Sequence, residues 1–387
     1  MKKLNKRKIK VCYFTFSRSE FGLMKKLVSK LKKNKSFTLN VVVGGSHLSK
    51  RYGLSINEIK NSNIKIDNII KYDLNINSEK KIIDFMNFLQ KKAFDILKKF
   101  DPDVILIMGD RYELLPISNI ATVCNIPIAH VSGGEVTTGA IDDQIRHAIS
   151  KFSHIHFVAN QEFKNRLMKM GEENWRIAVS GEPGLERIND VTRRPVEELS
   201  KEYVNLQEKT ALVTFHPVTK KNHSLQKQIE ALLSALKKFK INVIFTGSNA
   251  DLGGSLINDK IKVYVKKNDN CIFIKNLGFE NYHNLLKHVN LMIGNSSSGI
   301  IEAASYNLPV VNIGDRQDGR PQSHNVLNSD YTKADIIKKI TLALKLKVKV
   351  KNIYFQNNSS EIIIKKLKQI FRKYNKEEIL KKSFYDK

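Results

Sequence analysis

Two open α/β domains, each a parallel, doubly wound sheet and the pair facing a cleft, are what this sequence predicts. Three observations carry the expectation. Short apolar runs alternate with amphipathic helical stretches along most of the 387 residues. Several of the runs are continuously apolar, as in 104–109 (VILIMG), which is how strands read when both sheet faces are covered. The alternation lapses once, between Pro183 and Leu206, and then resumes. A βαβ series of this kind specifies a parallel sheet with helices on its faces. Two such series across a hinge direct their strand carboxyl ends into one cleft, where ligands of open sheets bind.

In the first series, strands are expected at 10–16, 38–45, 104–109, 126–131, 154–158 and 177–180. Between them lie helices at 20–33, at 78–100 with Ile82, Ile83, Phe85, Met86 and Leu89 on one side, and at 113–124. Pro116 falls near the start of the last, where proline is tolerated. A further helix opens on Asp142. From Pro183 to Leu206 there are breakers early and no strand, so the hinge is placed there. The second series has strands at 211–215, 242–246, 271–274, 291–293 and 309–313, and helices at 224–240, 280–289 and 299–306. The expected division is a first domain over 1–185, a hinge over 186–206 and a second domain over 207–358. A lysine-rich helical tail over 359–387 is placed to pack back on the first domain.

Composition narrows the class. Hydrophobic residues make up 41% of the chain, enough for a core in each domain, and no apolar run approaches the ~20 residues of a membrane span. The basic start MKKLNKRKIK is followed by too short an apolar stretch for a signal peptide, so a cytoplasmic protein is expected. Cys12, Cys124 and Cys271 sit in apolar segments without CxxC spacing, which reads as buried thiols and neither a zinc site nor a redox pair. The 66 basic against 38 acidic residues give a formal charge of +28. The lysines are spread over helices, for example Lys25, Lys26, Lys30, Lys32 and Lys33, and no nucleic-acid motif accompanies them. An anionic small ligand is expected, and not nucleic acid or a membrane.

The densest chemistry lies in 128–157, IAHVSGGEVTTGAIDDQIRHAISKFSHIHF: a strand, a glycine turn with Glu135, and a helix opening on Asp142 and Asp143. Asp142 with Arg146, and Asp143 with His147, share helix faces at i,i+4 spacing. An N-cap with two ordinary ion pairs would use the same residues. Elsewhere in this series, Arg18 follows the first strand at a helix N-terminus, a placement that suits phosphate or an exposed turn. The second strand ends in Gly44-Gly45-Ser46-His47. The strand over 104–109 ends in Gly109-Asp110-Arg111-Tyr112-Glu113, with Asp110 either functional or a helix cap. His154 and His156 share a strand face, but no third ligand stands near for a metal.

In the second series the strand ends are phosphate-like. His216 closes the first, in FHPVT, and is able to donate to a phosphate or act as an acid. The next ends in Gly247-Ser248-Asn249-Ala250-Asp251. Gly294-Asn295-Ser296-Ser297-Ser298-Gly299 at a strand-to-helix junction makes an anion nest. Glu302 on the following first turn is placed to take a ribose diol or to complement the helix dipole. Arg316 and Arg320 in GDRQDGR add guanidiniums for a diphosphate. There is no Walker A sequence and no GxGxxG after the first strand, which disfavours a P-loop kinase and an NAD dehydrogenase.

GDRYE, the 130–157 block, HPVT, GNSSSGIIEA and NIGDRQDGR, in this order over about residues 8–330, resemble the hydrolysing UDP-N-acetylglucosamine 2-epimerase family, the sialic-acid-pathway enzymes of bacteria and animals. The resemblance implies two Rossmann-like domains of the glycosyltransferase-B type, no cofactor, and frequent assembly as a homodimer or homotetramer. It implies a nucleotide-sugar substrate whose C2 proton is removed as the nucleotide diphosphate leaves C1 by anti elimination. Hydration of the resulting glycal then releases the manno sugar. UDP-N-acetylglucosamine giving N-acetylmannosamine is the expected reaction. The same chemistry on UDP- or GDP-N,N′-diacetylbacillosamine, as in legionaminic-acid relatives, is the alternative, with a glycosyltransferase of the same fold as a further one.

By that resemblance the catalytic set is Asp110, Glu135, Asp142, Asp143 and His216. The substrate contacts are Arg18, His47, Arg111, Arg146, Asn249, Ser296, Ser297, Ser298, Gly299, Glu302 and Arg316, and no metal is expected. Animal-type members carry a glutamate two residues after the position of His130. Here Ser132 stands there, and the role passes to Glu135 or is absent. A related bacterial subgroup has a glutamate where this chain has Thr138.

Overall fold

A computed structural model of the chain describes residues 7–50, 53–72, 78–138, 141–218, 224–248 and 253–386. It forms two compact units. Unit 1 comprises Met1–Glu135, Asp142–Arg187 and Tyr354–Lys387, and unit 2 comprises Val136–Ile141 and Ile188–Ile353.

In chain order the strands are β1 (Ile9–Thr15), β2 (Phe37–Val43), β3 (Asn68–Ile69), β4 (Val104–Met108), β5 (Ile128–Val131), β6 (Ile155–Val158), β7 (Ile177–Val179), β8 (Thr210–Thr214), β9 (Asn242–Thr246), β10 (Cys271–Ile274), β11 (Leu291–Gly294), β12 (Val310–Ile313) and β13 (Val326–Ser329). The α-helices are α1 (Arg18–Lys33), α2 (Ile56–Lys60), α3 (Glu79–Phe100), α4 (Leu114–Val123), α5 (Asp142–Phe152), α6 (Gln161–Lys169), α7 (Val196–Glu202), α8 (Leu225–Leu236), α9 (Gly254–Val265), α10 (Gly278–His288), α11 (Ser297–Ile301), α12 (Lys333–Ala343), α13 (Ser359–Lys373) and α14 (Lys376–Leu380).

Among the described residues unit 1 holds a seven-stranded sheet, ordered β3-β2-β1-β4-β5-β6-β7, and unit 2 a six-stranded one, ordered β10-β9-β8-β11-β12-β13. Every pairing is parallel. Each order runs outward one way from the first strand of its unit and then reverses, the doubly wound Rossmann topology. The reversal lies between β1 and β4 in unit 1 and between β8 and β11 in unit 2, and ligands of such sheets bind beyond the strand carboxyl ends there.

Local sequence explains the elements that flank these points. Ser17 caps α1 and forms a capping box with Glu20, while Lys30, Lys32 and Lys33 complement the dipole at the far end. The α1 stripe Phe21, Met24, Leu27, Val28 and Leu31 is buried at helical spacing against one face of the unit 1 sheet. Phe85, Leu89 and Ala93 of α3, with Leu114 and Ile117 of α4, cover the other face. Unit 2 is likewise covered on both faces, by α8, α9 and α12 on one and by Leu285 and Leu286 of α10 on the other.

The end of the chain is built into unit 1. Ile363, Ile364, Leu367 and Ile370 of α13 join the core that holds the α1 stripe. Truncating one buried leucine or isoleucine to alanine costs about 2–5 kcal/mol, so these side chains make α13 part of that core. Arg176, wholly buried, donates to the carbonyls of Ile379 and Lys381, each at 2.8 Å. The Lys382 ammonium reaches Glu172 at 2.8 Å and the Ser153 carbonyl at 2.7 Å. Glu172, also 3.0 Å from His156, is held down at about 2: burial opposes the shift, but His156 and Lys382 outweigh it.

Several expectations change. The stretch 183–206 has no strand, but it carries a 3₁₀ segment at Pro183–Asp190 and helix α7, and residues 188–206 belong to unit 2. The helix expected over 299–306 is α11 followed by a 3₁₀ turn at Ala303–Tyr306, so Glu302 sits at the junction of two short helices and not on a first turn. Cys12 and Cys271 are buried, whereas Cys124 is only half-buried. Among the described residues no helix is long and apolar enough to cross a membrane.

Burial holds His47, His130 and His154 of unit 1 near pKa 3. Below their ordinary value of about 6.5 the unfolded chain binds protons that the folded one refuses, so stability falls as pH falls. Glu20, raised to about 7 by burial and Glu113, works in the opposite sense, its native state gaining protons between about 7 and 4.5. Each of these histidines costs about 2 kcal/mol at pH 5 and Glu20 offsets about one of them; His156 and His147, also lowered by burial, act in the histidines' direction, so the loss is at least about 3 kcal/mol. The calorimetric midpoint of unit 1 should therefore drop by several degrees between pH 7.5 and 5.0. A flat midpoint would contradict the neutral histidines.

Candidate active site

In unit 1 the site is built from β4, β5 and α5. The parallel register sets Met108 opposite Val131, which lays Gly109-Asp110 beside Ser132-Gly133, one strand spacing of about 4.8 Å apart. His130 ties the two strand ends together, its Nε2 2.7 Å from the Gly109 carbonyl oxygen and its Nδ1 3.3 Å from Ser150 Oγ. Gly133 has no room for a side chain, since a Cβ would meet His130 Nδ1 and Ser150 Oγ at 2.9 Å.

Arg146, on the first turns of α5, points into this corner and is 1% exposed. A buried guanidinium needs acceptors for its fork of donors. It donates to Asp110 Oδ2 and, at 3.1 Å, to the Glu135 carbonyl, and it lies 3.8 Å from Asp143 Oδ1. Burial opposes its charge, but Asp110, Glu135 and Asp142 outweigh that and hold it above its ordinary value. Asp143 also faces His147 at 3.8 Å. Asp142, the expected i,i+4 partner of Arg146, is among the charges that hold it up, and Asp143 and Asp110, the latter 36 residues away, are ion-pair partners as well.

Two further cationic groups follow the strands on either side of the reversal point, Arg18 after β1 and Arg111 after β4. Arg18 opens α1. Arg111 is gripped through two nitrogens by Glu113, at 3.1 and 3.3 Å, and Glu113 is 1% exposed. Glu20 accepts from the Phe16 and Ser17 amides at 2.8 and 3.2 Å, so the turn carrying Arg18 is pinned. His47 departs from its expected contact role. It is wholly buried, with Nε2 3.0 Å from Thr15 Oγ1 and Nδ1 2.9 Å from Ser55 Oγ, so both ring nitrogens serve packing.

Glu182 was not singled out by the sequence. It is 2% exposed, and its Oε2 accepts the Ser132 hydroxyl at 2.7 Å. A carboxylate therefore stands one hydrogen bond from the position where animal-type members carry glutamate. No local signal marks a partner 50 residues away. His154 Nδ1 accepts from the Ile128 amide at 3.3 Å, and His156 Nε2 lies 3.0 Å from Glu172.

In unit 2 the site is built on Asn295, which is wholly buried. Its side-chain amide accepts from the His216 N–H at 2.7 Å and donates to the His216 carbonyl at 2.9 Å, a two-point splint between the ends of β8 and β11. The approach is so close that Gly294, at φ +135, could not carry a Cβ, which would fall 1.8 Å from the Thr214 carbonyl oxygen. The Asn295 carbonyl in turn accepts from Arg316 at 3.1 Å and Gln317 at 2.9 Å. His216 Nδ1 lies 3.4 Å from Ser248 Oγ. Ser296 caps α11, Ser297 is its first residue, and Gly299 packs under Val310. Ser298 is hydrogen-bonded to Tyr282, and the Glu302 carboxylate faces His283 at 3.3 Å. Asn249 lies outside the described residues. The structure thus groups Asp110, Asp143 and Arg146 in unit 1, and His216, Ser296–Ser298, Glu302 and Arg316 in unit 2.

Two Rossmann-like units, each with its polar residues at the reversal point, define a glycosyltransferase-B-type α/β protein. A family model described as UDP-N-acetylglucosamine 2-epimerase matches residues 29–368. A Legionella pneumophila protein named UDP-N,N′-diacetylbacillosamine 2-epimerase (hydrolyzing) is 36% identical over 363 residues, 93% of this chain and 96% of that protein. The GDP/UDP-N,N′-diacetylbacillosamine 2-epimerase (hydrolyzing) of Campylobacter jejuni is 36% identical over 333 residues, 85% of this chain and 86% of that one. The crystal structure of UDP-GlcNAc 2-epimerase from Neisseria meningitidis bound to UDP-GlcNAc superposes with a TM-score of 0.81 at 19% identity, over 94% of this chain and 100% of that chain. This chain belongs to the hydrolysing UDP-N-acetylglucosamine 2-epimerase family.

Replacing Asn295 with alanine removes both bonds to His216 and leaves the backbone anchor of Arg316 in place. The loss should be about 2–4 kcal/mol, with amide exchange at His216 accelerated by at least about tenfold. Unchanged exchange at His216 would remove Asn295 as the splint.

Proposed function

We propose that this protein is a hydrolysing 2-epimerase of nucleotide-linked N,N′-diacetylbacillosamine. It releases 2,4-diacetamido-2,4,6-trideoxymannose and the nucleoside diphosphate. One observation carries the choice of sugar: the two relatives at 36% identity are both named for that substrate. The UDP-N-acetylglucosamine expectation is supported by the family description and by a Neisseria meningitidis relative of that name at 30% identity, and it gives way to the two at 36%.

The C2 proton of a sugar nucleotide is not acidic. Its removal must coincide with loss of a leaving group that the protein stabilises. A carboxylate takes the C2 proton while the C1–O bond breaks and its electron pair leaves with the diphosphate, giving the C1=C2 glycal. Water then adds, its oxygen to C1 and a proton to C2 from the opposite face. One water is consumed, and free sugar and nucleoside diphosphate are produced. Unit 1 supplies the candidate acid–base groups, Asp110, Asp142, Asp143 and Glu135, with Glu182 added. Arg146 orients Asp110 for this work, and Arg18 and Arg111 contribute sugar- or phosphate-side cations.

The diphosphate falls to unit 2. His216 donates to it or protonates it, Ser296, Ser297 and Arg316 bind its oxygens, and Glu302 takes the ribose 2′,3′-diol. A glycosyltransferase would need an acceptor and would leave C2 untouched.

Purified protein is to be incubated in deuterated water with UDP- and GDP-N,N′-diacetylbacillosamine and with UDP-N-acetylglucosamine, and the products read by proton NMR. Free manno sugar with deuterium at C2 is expected, with kcat/KM on the N-acetylglucosamine compound at least about tenfold lower. Equal or better use of UDP-N-acetylglucosamine would overturn the choice of sugar. A product still joined to the nucleotide, or protium kept at C2, would overturn the reaction.

A further inference from the structure

Within unit 2, one buried histidine is not used by the reaction just described. His283 lies on α10, 1% exposed. Its Nε2 is 3.3 Å from Glu302 Oε1 and its Nδ1 is 2.7 Å from the Tyr306 hydroxyl oxygen. The ring is enclosed by aromatic neighbours, with Phe279 at 4.1 Å, Tyr282 edge-on at 5.6 Å and Tyr306 at 5.8 Å between centroids. Tyr282, one residue earlier, is hydrogen-bonded to Ser298. Helix α10 thus sends two consecutive side chains into the loop that follows β11, one to each end of α11.

The proton arrangement follows from the partners. A carboxylate only accepts, so Nε2 must carry the proton directed at Glu302. The Tyr306 hydroxyl, kept protonated by burial, lies 2.7 Å from Nδ1 and holds the ring from its other side. Among aromatic walls such a polar contact is stronger than in water. The Glu302 backbone is held as well, its N–H donating to the Ser298 carbonyl at 2.8 Å and its carbonyl accepting from the Ser305 N–H at 3.0 Å. Backbone and carboxylate are therefore both fixed, although α11 is only five residues long.

We propose that His283 is a positioning residue: with Tyr306 behind it, it orients the Glu302 carboxylate for the vicinal hydroxyls of a ribose and so makes the protein select ribonucleotide over 2′-deoxyribonucleotide substrates. This rests on the reading of Glu302 as the ribose contact. A diol needs two acceptor directions from one carboxylate, and a carboxylate turning about its last bond offers them only part of the time. Anchoring Oε1 from behind sets the plane.

The test uses the full-length protein with UDP-N,N′-diacetylbacillosamine and its 2′-deoxyuridine counterpart, or the UDP-N-acetylglucosamine pair should that be the better substrate. The wild type should favour the ribo form by about 10²-fold or more in kcat/KM. His283→Leu should raise KM for the ribo substrate by about tenfold, with kcat within about twofold and KM for the deoxy substrate unchanged. His283→Gln, whose amide nitrogen falls near the position of Nε2, should restore discrimination, and His283→Asn should not. The Gln and Asn pair decides the matter if the leucine variant does not fold. A KM rise that is equal for the two substrates, or no rise for either, would overturn the proposal. Glu302→Ala is measured alongside. If it leaves discrimination intact, the ribose reading of Glu302 itself falls. If it abolishes discrimination while His283→Leu does not, only the positioning role falls.

Discussion

A guanidinium taken out of water must find acceptors, and in unit 1 that requirement organises the polar corner. Arg146 is 1% exposed and gathers Asp110, Asp143 and the Glu135 carbonyl around one planar fork. Removing one partner of a buried charge pair costs on the order of 3–5 kcal/mol, more than a surface pair ever supplies. Three segments distant in sequence, the end of β4, the turn after β5 and the start of α5, are held together by it. The carboxylates it fixes are the groups assigned to work on the sugar.

Unit 2 meets the same geometrical problem with neutral chemistry. There the strand ends at the reversal point are joined by the Asn295 amide, whose donor and acceptor match the carbonyl and N–H of His216. A neutral splint suits a surface assigned to bind an anion, because it brings no carboxylate of its own to that surface. Under the proposed reading, one topology carries acid–base groups in one unit and anion-binding groups in the other, set by what stands at each strand end.

The strands were legible because strands covered on both faces read as unbroken apolar runs, and β4, β8 and β11 are of this kind. The glycine-serine junction after β11 and the aspartates opening α5 were legible from spacing alone. What escaped was what depends on distant register. Asp110 as the partner of Arg146 is 36 residues away, and Glu182 as the partner of Ser132 is 50 away. Helical spacing pointed to Asp142 for Arg146, and Asp142 does act on its charge, but spacing gave no sign of Asp143 and of the neighbouring strand as further partners. His47 looked like a contact because it follows a glycine turn, but the chain folds it inward onto Thr15 and Ser55. Strand β3 has two residues, too few to show a period. Helix α9 went unread because Ile257, Ile261, Val263 and Val265 suit a strand equally well.

The central claim is that Arg146 and Asp110 act as one unit. A double-mutant cycle in kcat/KM across wild type, Asp110→Asn, Arg146→Met and the double variant measures that directly. The account predicts strong non-additivity, at least about 2 kcal/mol of coupling, with the double variant hardly worse than either single one. Losses that add to within about 0.5 kcal/mol would mean that the two residues act independently and that the corner is not organised by their contact.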